Sequence, residues 1–572
     1  MKFEIITLIF VVIKIISAQI LPYPEVNIEQ GTVRGKYEKT ISGKNYAAFV
    51  GIPYAQPPVG KNRFKEPKEP DPWFGVYKAL ESGSPCLQYT HFGYKILGDE
   101  DCLFLNIYTP SVPVNKKVSP LLDVLFYIHG GAFMFASGDS FRPGFLLDRD
   151  IILVTINYRL GPLGFLSTGD EVIPGNNGLK DQTAALKWVR KNIAAFGGNP
   201  DSVTIMGVSA GGASVHYHYL SPLSQGLFKR GLSLSGTALC PWTLMDKGQE
   251  KAFQLGSNLG CSTQNSTSLL RCLRKRPAVQ IVAQVKEFLG WLYNPYSPFG
   301  PTVERGGKTP FLEQDPYQIL TSGNFQQVPW ITSVTSEEGL YPGAELMTPE
   351  YLKELDSNFY EILPHLLDFN LTVKAELKHE ICKSIKEYYL NNKDVSKNTV
   401  KFIQMISDRL FVSCGEEGAK IHAAKSSAPV YFYYFNYRGE KSISNLFSHS
   451  DENFGVSHGD DILYLFDFPD YLDAKQTSQE KEMTERYLNF ITSYAKSGVP
   501  QFTPDFVFPT VKEALPDLRY IRIKSPHEFI QEQTTDLGNS KFWFKLNLKE
   551  EINTSKLVLK AESVFTKERE EL

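Results

Sequence analysis

The sequence predicts an α/β fold in which a large central, mostly parallel sheet is flanked by helices and carries helical insertions. Three observations carry that expectation. Runs rich in β-branched and aromatic residues alternate with helical patterns through the first half of the chain, two glycine-bearing turns directly follow such runs, and no composition shift or low-complexity linker cuts the chain into modules.

At 572 residues, 42% hydrophobic and 22% charged, the chain can bury a sizeable core, which excludes disorder as its default state. The formal net charge of -3 and the lack of a long basic run exclude the electrostatic footprint of a nucleic-acid binder. Behind Lys2, the apolar stretch Ile5 to Ala18 is interrupted only by Thr7, Lys14 and Ser17 and closes on Ile16-Ser17-Ala18, a small-residue cleavage site. Residues 1–18 therefore read as a signal peptide and 19–572 as a single domain. The competing reading of this stretch is a signal anchor, but a membrane span needs about 20 apolar residues and the run is shorter than that; no other segment reaches spanning length either.

In chain order, Asp123 to Ile128 and Ile151 to Tyr158 read as buried strands. Asp181 to Phe196 places Ala184, Leu186, Val189 and Ile193 at helical spacing, and Gly197-Gly198-Asn199-Pro200 ends it. A third strand is expected at Ser202 to Met206. Past about Ser235 the pattern turns helical and irregular, with Thr348 to Asn370 and Val373 to Asn391 as helical segments. A final helix is expected over Glu480 to Gly498, where glycine can close it before Pro500.

Seven cysteines in an oxidising compartment imply disulfides and at least one leftover thiol. Cys86 with Cys102 and Cys261 with Cys272 would close short loops, although spacing alone leaves connectivity open. Sequons at Asn265, Asn370 and Asn553 are compatible with glycosylation. The terminal Arg569-Glu570-Glu571-Leu572 resembles the signal that retains soluble proteins in the endoplasmic reticulum lumen, so secreted and retained destinations both stay open.

The chemistry concentrates in four motifs. Gly207-Val208-Ser209-Ala210-Gly211 follows the strand Val203 to Met206 and precedes a helix-compatible run, the context of a nucleophile elbow. Small residues two before and two after the serine let the backbone turn sharply and expose the hydroxyl. A hydroxyl is a weak nucleophile without a base, and the oxyanion formed on attack needs donors. His129-Gly130-Gly131-Ala132-Phe133, after the strand ending at Ile128, is a turn that could aim backbone N–H groups into a site. Ser336-Glu337-Glu338-Gly339 follows the apolar run Trp330 to Val334. Gly455-Val456-Ser457-His458-Gly459-Asp460-Asp461 surrounds one of the ten histidines.

Together these motifs resemble the type-B carboxylesterase and cholinesterase family of α/β-hydrolases, and the likeness to general carboxylesterases of the insect type covers nearly the whole mature chain. Glu100-Asp101-Cys102-Leu103-Phe104-Leu105-Asn106 is similar to the family's second signature, and Phe196-Gly197-Gly198-Asn199-Pro200 leads into the elbow as it does there. The resemblance implies an α/β-hydrolase fold and a serine carboxylic-ester hydrolase working through an acyl-enzyme. Ser209 would be the nucleophile, His458 the base and Glu338 the acid, in the chain order nucleophile, acid, base. Glu337 is the adjacent rival for the acid. His449 lies near the proposed base but lacks its motif.

It further implies an oxyanion hole from the N–H groups of Gly131, Ala132 and Ala210, with alanine standing where the family often has a third glycine. Ser235-Gly236-Thr237-Ala238-Leu239-Cys240-Pro241-Trp242 resembles the segment that places a tryptophan in the acyl pocket, making Trp242 a candidate wall with Phe133 beside it. Core packing is the competing reading of Trp242. The resemblance favours the pairs Cys86–Cys102 and Cys261–Cys272, and Cys240 is expected to be a buried free thiol; Cys382 and Cys414 stay unassigned.

Two departures separate the chain from choline-ester enzymes. No tryptophan lies between Cys86 and Cys102 to hold a choline cation, and Val208 stands where cholinesterases carry glutamate. Small to medium hydrophobic esters are the expected substrates, with neither metal nor organic cofactor. The rival class is a binding protein on the same fold, as in neuroligins, which lose catalytic residues and carry a membrane span. All three proposed residues are present here.

Overall fold

The computed structural model describes residues 23–113, 120–468 and 475–548. The expected signal peptide, Asn553 and the Arg569 to Leu572 tail lie outside the described residues.

Eleven strands form one sheet: β1 (Lys36–Lys39), β2 (Asn45–Pro53), β3 (Phe104–Thr109), β4 (Leu122–Ile128), β5 (Ile152–Ile156), β6 (Gly198–Val208), β7 (Arg230–Leu234), β8 (Trp330–Thr335), β9 (Val430–Phe435), β10 (Leu518–Ser525) and β11 (Glu528–Thr534). Their spatial order is β11-β10-β9-β8-β7-β6-β4-β5-β3-β2-β1. From β10 across to β5 all neighbours run parallel, while β1, β2 and β3 and the far edge strand β11 join antiparallel.

Parallel strands need crossover connections, which cover both faces of the sheet, so their side chains are buried on both sides. The central strand β4 shows this directly. Val124, Phe126 and Ile128 pack into one core with Leu179, Leu186 and Val189 of helix α1 (Asn177–Asn192). Leu125 and Tyr127 point the other way, into a core built with Met483, Tyr487, Ile491 and Tyr494. Those last four belong to a long helix over Ser478–Ser497, begun by a reciprocal capping box between Thr477 and Glu480 and ended by Gly498 at φ 79°.

The expected elements are present with shifted ends. The helix expected from Asp181 starts four residues earlier, at Asn177, and its last turn tightens over Ile193–Phe196 before Gly197 stops it at φ 90°. Strand β6 then begins at once, at Gly198, so the Gly-Gly-Asn-Pro stretch is strand as well as stop. Thr348 to Asn370 is two helices, Pro349–Ser357 and Phe359–Leu366, and Val373 to Asn391 is one, Ala375–Leu390.

Cys86 joins Cys102 and Cys261 joins Cys272, as the resemblance implies. The expectation for Cys240 is overturned: it is disulfide-bonded to Cys414, 174 residues further along, and the free buried thiol is Cys382. The turn after β7 and a helix near residue 414 meet in space, and nothing in the local sequence of either records that meeting. Among the described residues no helix is long and apolar enough to cross a membrane.

Candidate active site

Strand β6 ends at Val208 and helix α2 (Ala210–Leu220) begins two residues later, leaving Ser209 alone at the junction with φ 61° and ψ -124°. Few residues hold that conformation, and its strain is stored only where the surroundings over-determine it. Here they do so by contact. A Cβ on Gly211 would lie 2.0 Å from the Ile128 carbonyl oxygen, and one on Gly207 would lie 2.4 Å from the Gly211 backbone. The Ser209 N–H donates to Leu234 O at 2.8 Å, which ties the turn to β7. At the start of α2 the Ala210 N–H has no intrahelical acceptor.

The turn after β4 lies against this junction: a Cβ on Gly130 would be 3.0 Å from Ser209 Cβ. Gly131, Ala132 and Phe133 follow at φ 92°, 54° and 60°. The N–H groups of Met134 and Phe135 both return to Gly131 O, at 2.8 and 3.0 Å, and Ser297 Oγ donates to Ala132 O at 2.7 Å. No backbone hydrogen bond among the described residues engages the N–H of Gly131 or Ala132.

His458 and Glu338 come together from 120 residues apart, with Nδ1 and Oε2 separated by 2.6 Å. Glu338 is fully buried and His458 nearly so, at 7% exposed. The other carboxylate oxygen of Glu338 accepts from Thr335 N at 2.7 Å, so the acid is oriented by the end of β8. A carboxylate accepts, so the imidazole proton sits on Nδ1 and Nε2 is left as an acceptor. Nε2 is buried and has no partner among the described residues. The loop carrying it abuts the serine turn, because a Cβ on Gly459 would lie 3.9 Å from the Val208 side chain.

Rival residues are used otherwise. His449 is exposed and caps the helix Ile443–Ser448 at φ 49°. His129, His216 and His218 are fully buried and held neutral by desolvation, their pKa values pushed down to about 4, 3 and 3. The Glu337 side chain points to the backbone of the histidine loop and not to the imidazole. Among the described residues no group of His, Cys, Asp and Glu is arranged to hold a metal ion.

Comparison with known proteins fits this arrangement. The family model described as "Carboxylesterase family" matches residues 22–543.

The chain belongs to the carboxylesterase family.

The esterase is 45% identical over 527 residues to venom carboxylesterase-6 of Apis mellifera, covering 91% of this chain and 94% of that one. It is 42% identical over 535 residues to a carboxylic ester hydrolase of Bombus ignitus, covering 92% and 95%. The crystal structure of juvenile hormone esterase from Manduca sexta, with OTFP covalently attached, superposes with a TM-score of 0.80 at 29% identity, covering 92% of this chain and 99% of that one. The esterase is a serine carboxylesterase in class and an α/β-hydrolase in fold.

Aromatic rings surround the imidazole of the esterase. Trp242 donates its Nε1–H to Leu410 O at 2.9 Å and lies 5.8 Å from the Phe411 ring and 6.4 Å from Phe133. Phe411 in turn sits 4.5 Å from the His458 ring, and Tyr341 5.5 Å from it. Leu410 and Phe411 lie in a π-helical turn, Asp408–Val412, a feature frequent at functional sites. The Cys240–Cys414 disulfide staples that turn to the Trp242 segment. Within the Cys86–Cys102 loop, which has no tryptophan, His91 stacks on Tyr293 at 5.2 Å and Phe92 on Phe447 at 4.6 Å. Phe411 and Tyr341 had no signal in the sequence. Phe92 had at most a faint one, as one of three aromatic residues, with Tyr89 and Tyr94, in the loop where cholinesterases carry a tryptophan.

Proposed function

We propose that the esterase hydrolyses small to medium hydrophobic carboxylic esters by two-step acyl transfer, with Ser209, His458 and Glu338 as a triad. The observation that carries this reading is a histidine whose Nδ1–H is held by a fully buried carboxylate while its Nε2 is free, on a loop abutting a serine in the strained elbow conformation. His458 Nε2 takes the Ser209 proton as Oγ attacks the ester carbonyl. Glu338 keeps the imidazole in the tautomer that can accept and stabilises the imidazolium. The N–H groups of Gly131, Ala132 and Ala210 receive the oxyanion. The alcohol leaves with the proton from His458, and water repeats the sequence on the acyl-enzyme.

Trp242, Phe133 and Phe411 supply an apolar wall suited to a hydrocarbon acyl group. Three disulfides support passage of residues 19–572, as one unit, through the secretory pathway after removal of the leader. Asn265 is exposed and a candidate for glycosylation, with half-buried Asn370 second. Ser209→Ala should abolish turnover of a p-nitrophenyl ester while leaving the thermal unfolding midpoint in place. Retained turnover would refute the assignment.

A further inference from the structure

Glu337 stands next to the proposed acid, and its side chain is spent on the histidine loop. Its Oε2 accepts from Val456 N at 2.7 Å, two residues before His458. Its own N–H donates to Val456 O at 3.0 Å, and Glu337 pairs with Ser457 as a parallel β-bridge. The carboxylate packs flat over Gly455, where φ is 121° and a Cβ would fall 2.7 Å from Oε2. Glycine at Gly455 is therefore what lets the carboxylate reach the loop.

The other end of this strut is anchored as firmly. Ser336 Oγ donates to Glu337 Oε2 at 2.5 Å and accepts from Asn436 Nδ2 at 2.8 Å, and Ser336 N donates to Phe435 O at 3.0 Å. A continuous path thus runs from the end of β9 through Ser336 and Glu337 to the backbone that carries His458. The 3-10 turn Asp460–Tyr464 after His458 grips the neighbouring residue, Ser457 N donating to Asp460 Oδ2 at 2.8 Å, while among the described residues the Val456 backbone is hydrogen-bonded to Glu337 alone.

We propose that Glu337 is a positioning residue for the hydrolytic reaction: its carboxylate fixes the backbone that carries His458, while Glu338 fixes the ring. The two adjacent glutamates divide one task, holding Nε2 where the nucleophile needs it. The work of Glu337 is done by reach, through an acceptor at the right distance, and not by charge. This rests on His458 being the base.

Two conservative variants separate reach from charge. Glu337→Asp keeps the charge and withdraws the acceptor by one methylene; Glu337→Gln keeps the length and an acceptor oxygen and loses the charge. Turnover is measured on a p-nitrophenyl ester, per active site counted by organophosphonate titration, so that misfolded enzyme does not enter kcat. Displacing a catalytic group by about 1 Å can cost on the order of 10²-fold. Glu337→Asp should therefore lose about 10- to 100-fold in kcat per titrated site with KM within about twofold, and Glu337→Gln should stay within about threefold of wild type. Wild-type kcat per site in Glu337→Asp, with only fewer titratable sites, would make the residue merely structural and overturn the proposal. The reverse ranking, with Gln impaired and Asp intact, would make the effect electrostatic and overturn it equally. Failure of the triad itself reads differently: His458→Ala would then turn over ester normally.

Discussion

The serine turn and the histidine loop meet at one point of the site but are held in place by different means. The turn at Ser209 is fixed by steric exclusion among near neighbours, with Gly207, Gly211 and Gly130 packed so closely that no Cβ fits. The loop at His458 is fixed by hydrogen bonds, to Glu338 from the ring 120 positions away, to Glu337 from the Val456 backbone 119 positions away, and locally to Asp460 from Ser457 N. A nucleophile needs one rigid exposure, which local sterics supply. A base must swing its proton between two partners, and a loop suspended from outside acceptors can hold a ring firmly while its neighbours keep water out.

Breaking the suspended side should give the largest effect. Glu338→Ala removes the group that sets the imidazole tautomer, and kcat should fall by about 10³- to 10⁴-fold, or about 4 to 5.5 kcal/mol of barrier. Steady-state kinetics with KM nearly unchanged would check it. Next comes the double variant Cys240→Ser with Cys414→Ser. It frees the π-helical turn that carries Phe411 against His458, and releasing a crosslink over 174 residues should cost about 5 kcal/mol of stability. The ratio of rates on acetyl, butyryl and octanoyl esters should change with it, because Trp242 is tied to the same turn.

On the steric side, Gly211→Ala drives a methyl to within 2.0 Å of the Ile128 carbonyl, with no flexible atom to yield. A loss of at least about 3 kcal/mol is expected, read from the urea midpoint. The smallest effect sharpens the electrostatics of the loop. Asp461 is fully buried and accepts from Tyr433 O–H at 2.8 Å, and burial pushes its carboxyl up to about 6. Ionised above that pH, it favours the imidazolium of His458. Asp461→Asn withdraws that support, so kcat/KM should fall by less than about tenfold above about pH 6 and change little below it, where the wild-type carboxyl is itself neutral.

The same contrast decides what could be read from the sequence. The strand, serine turn and helix were legible because the small residues they require sit together in one run, Gly207 to Gly211, even though the atoms that exclude a Cβ there include the distant Ile128 carbonyl. The sheet was legible from runs such as Asp123 to Ile128, whose two buried faces demand apolar residues throughout. Glu338 and His458 could be matched only through a family resemblance, since nothing local to either residue encodes a partner 120 positions away. Cys240 was misread for that reason: its partner lies 174 residues distant, whereas the short loops closed by Cys102 and Cys272 lie in plain view. Glu337 looked like a competitor of Glu338 because adjacency in sequence hides that the two side chains take different targets, one a ring and one a backbone amide.

The central claim is that a buried Glu338–His458 pair activates Ser209 and no other hydroxyl. Peptide mapping by mass spectrometry after reaction with an organophosphonate tests it most directly. A single adduct on the peptide containing Ser209 is expected, absent in Ser209→Ala and formed far more slowly in His458→Ala. An adduct on another residue, or labelling undiminished in Ser209→Ala, would contradict the account.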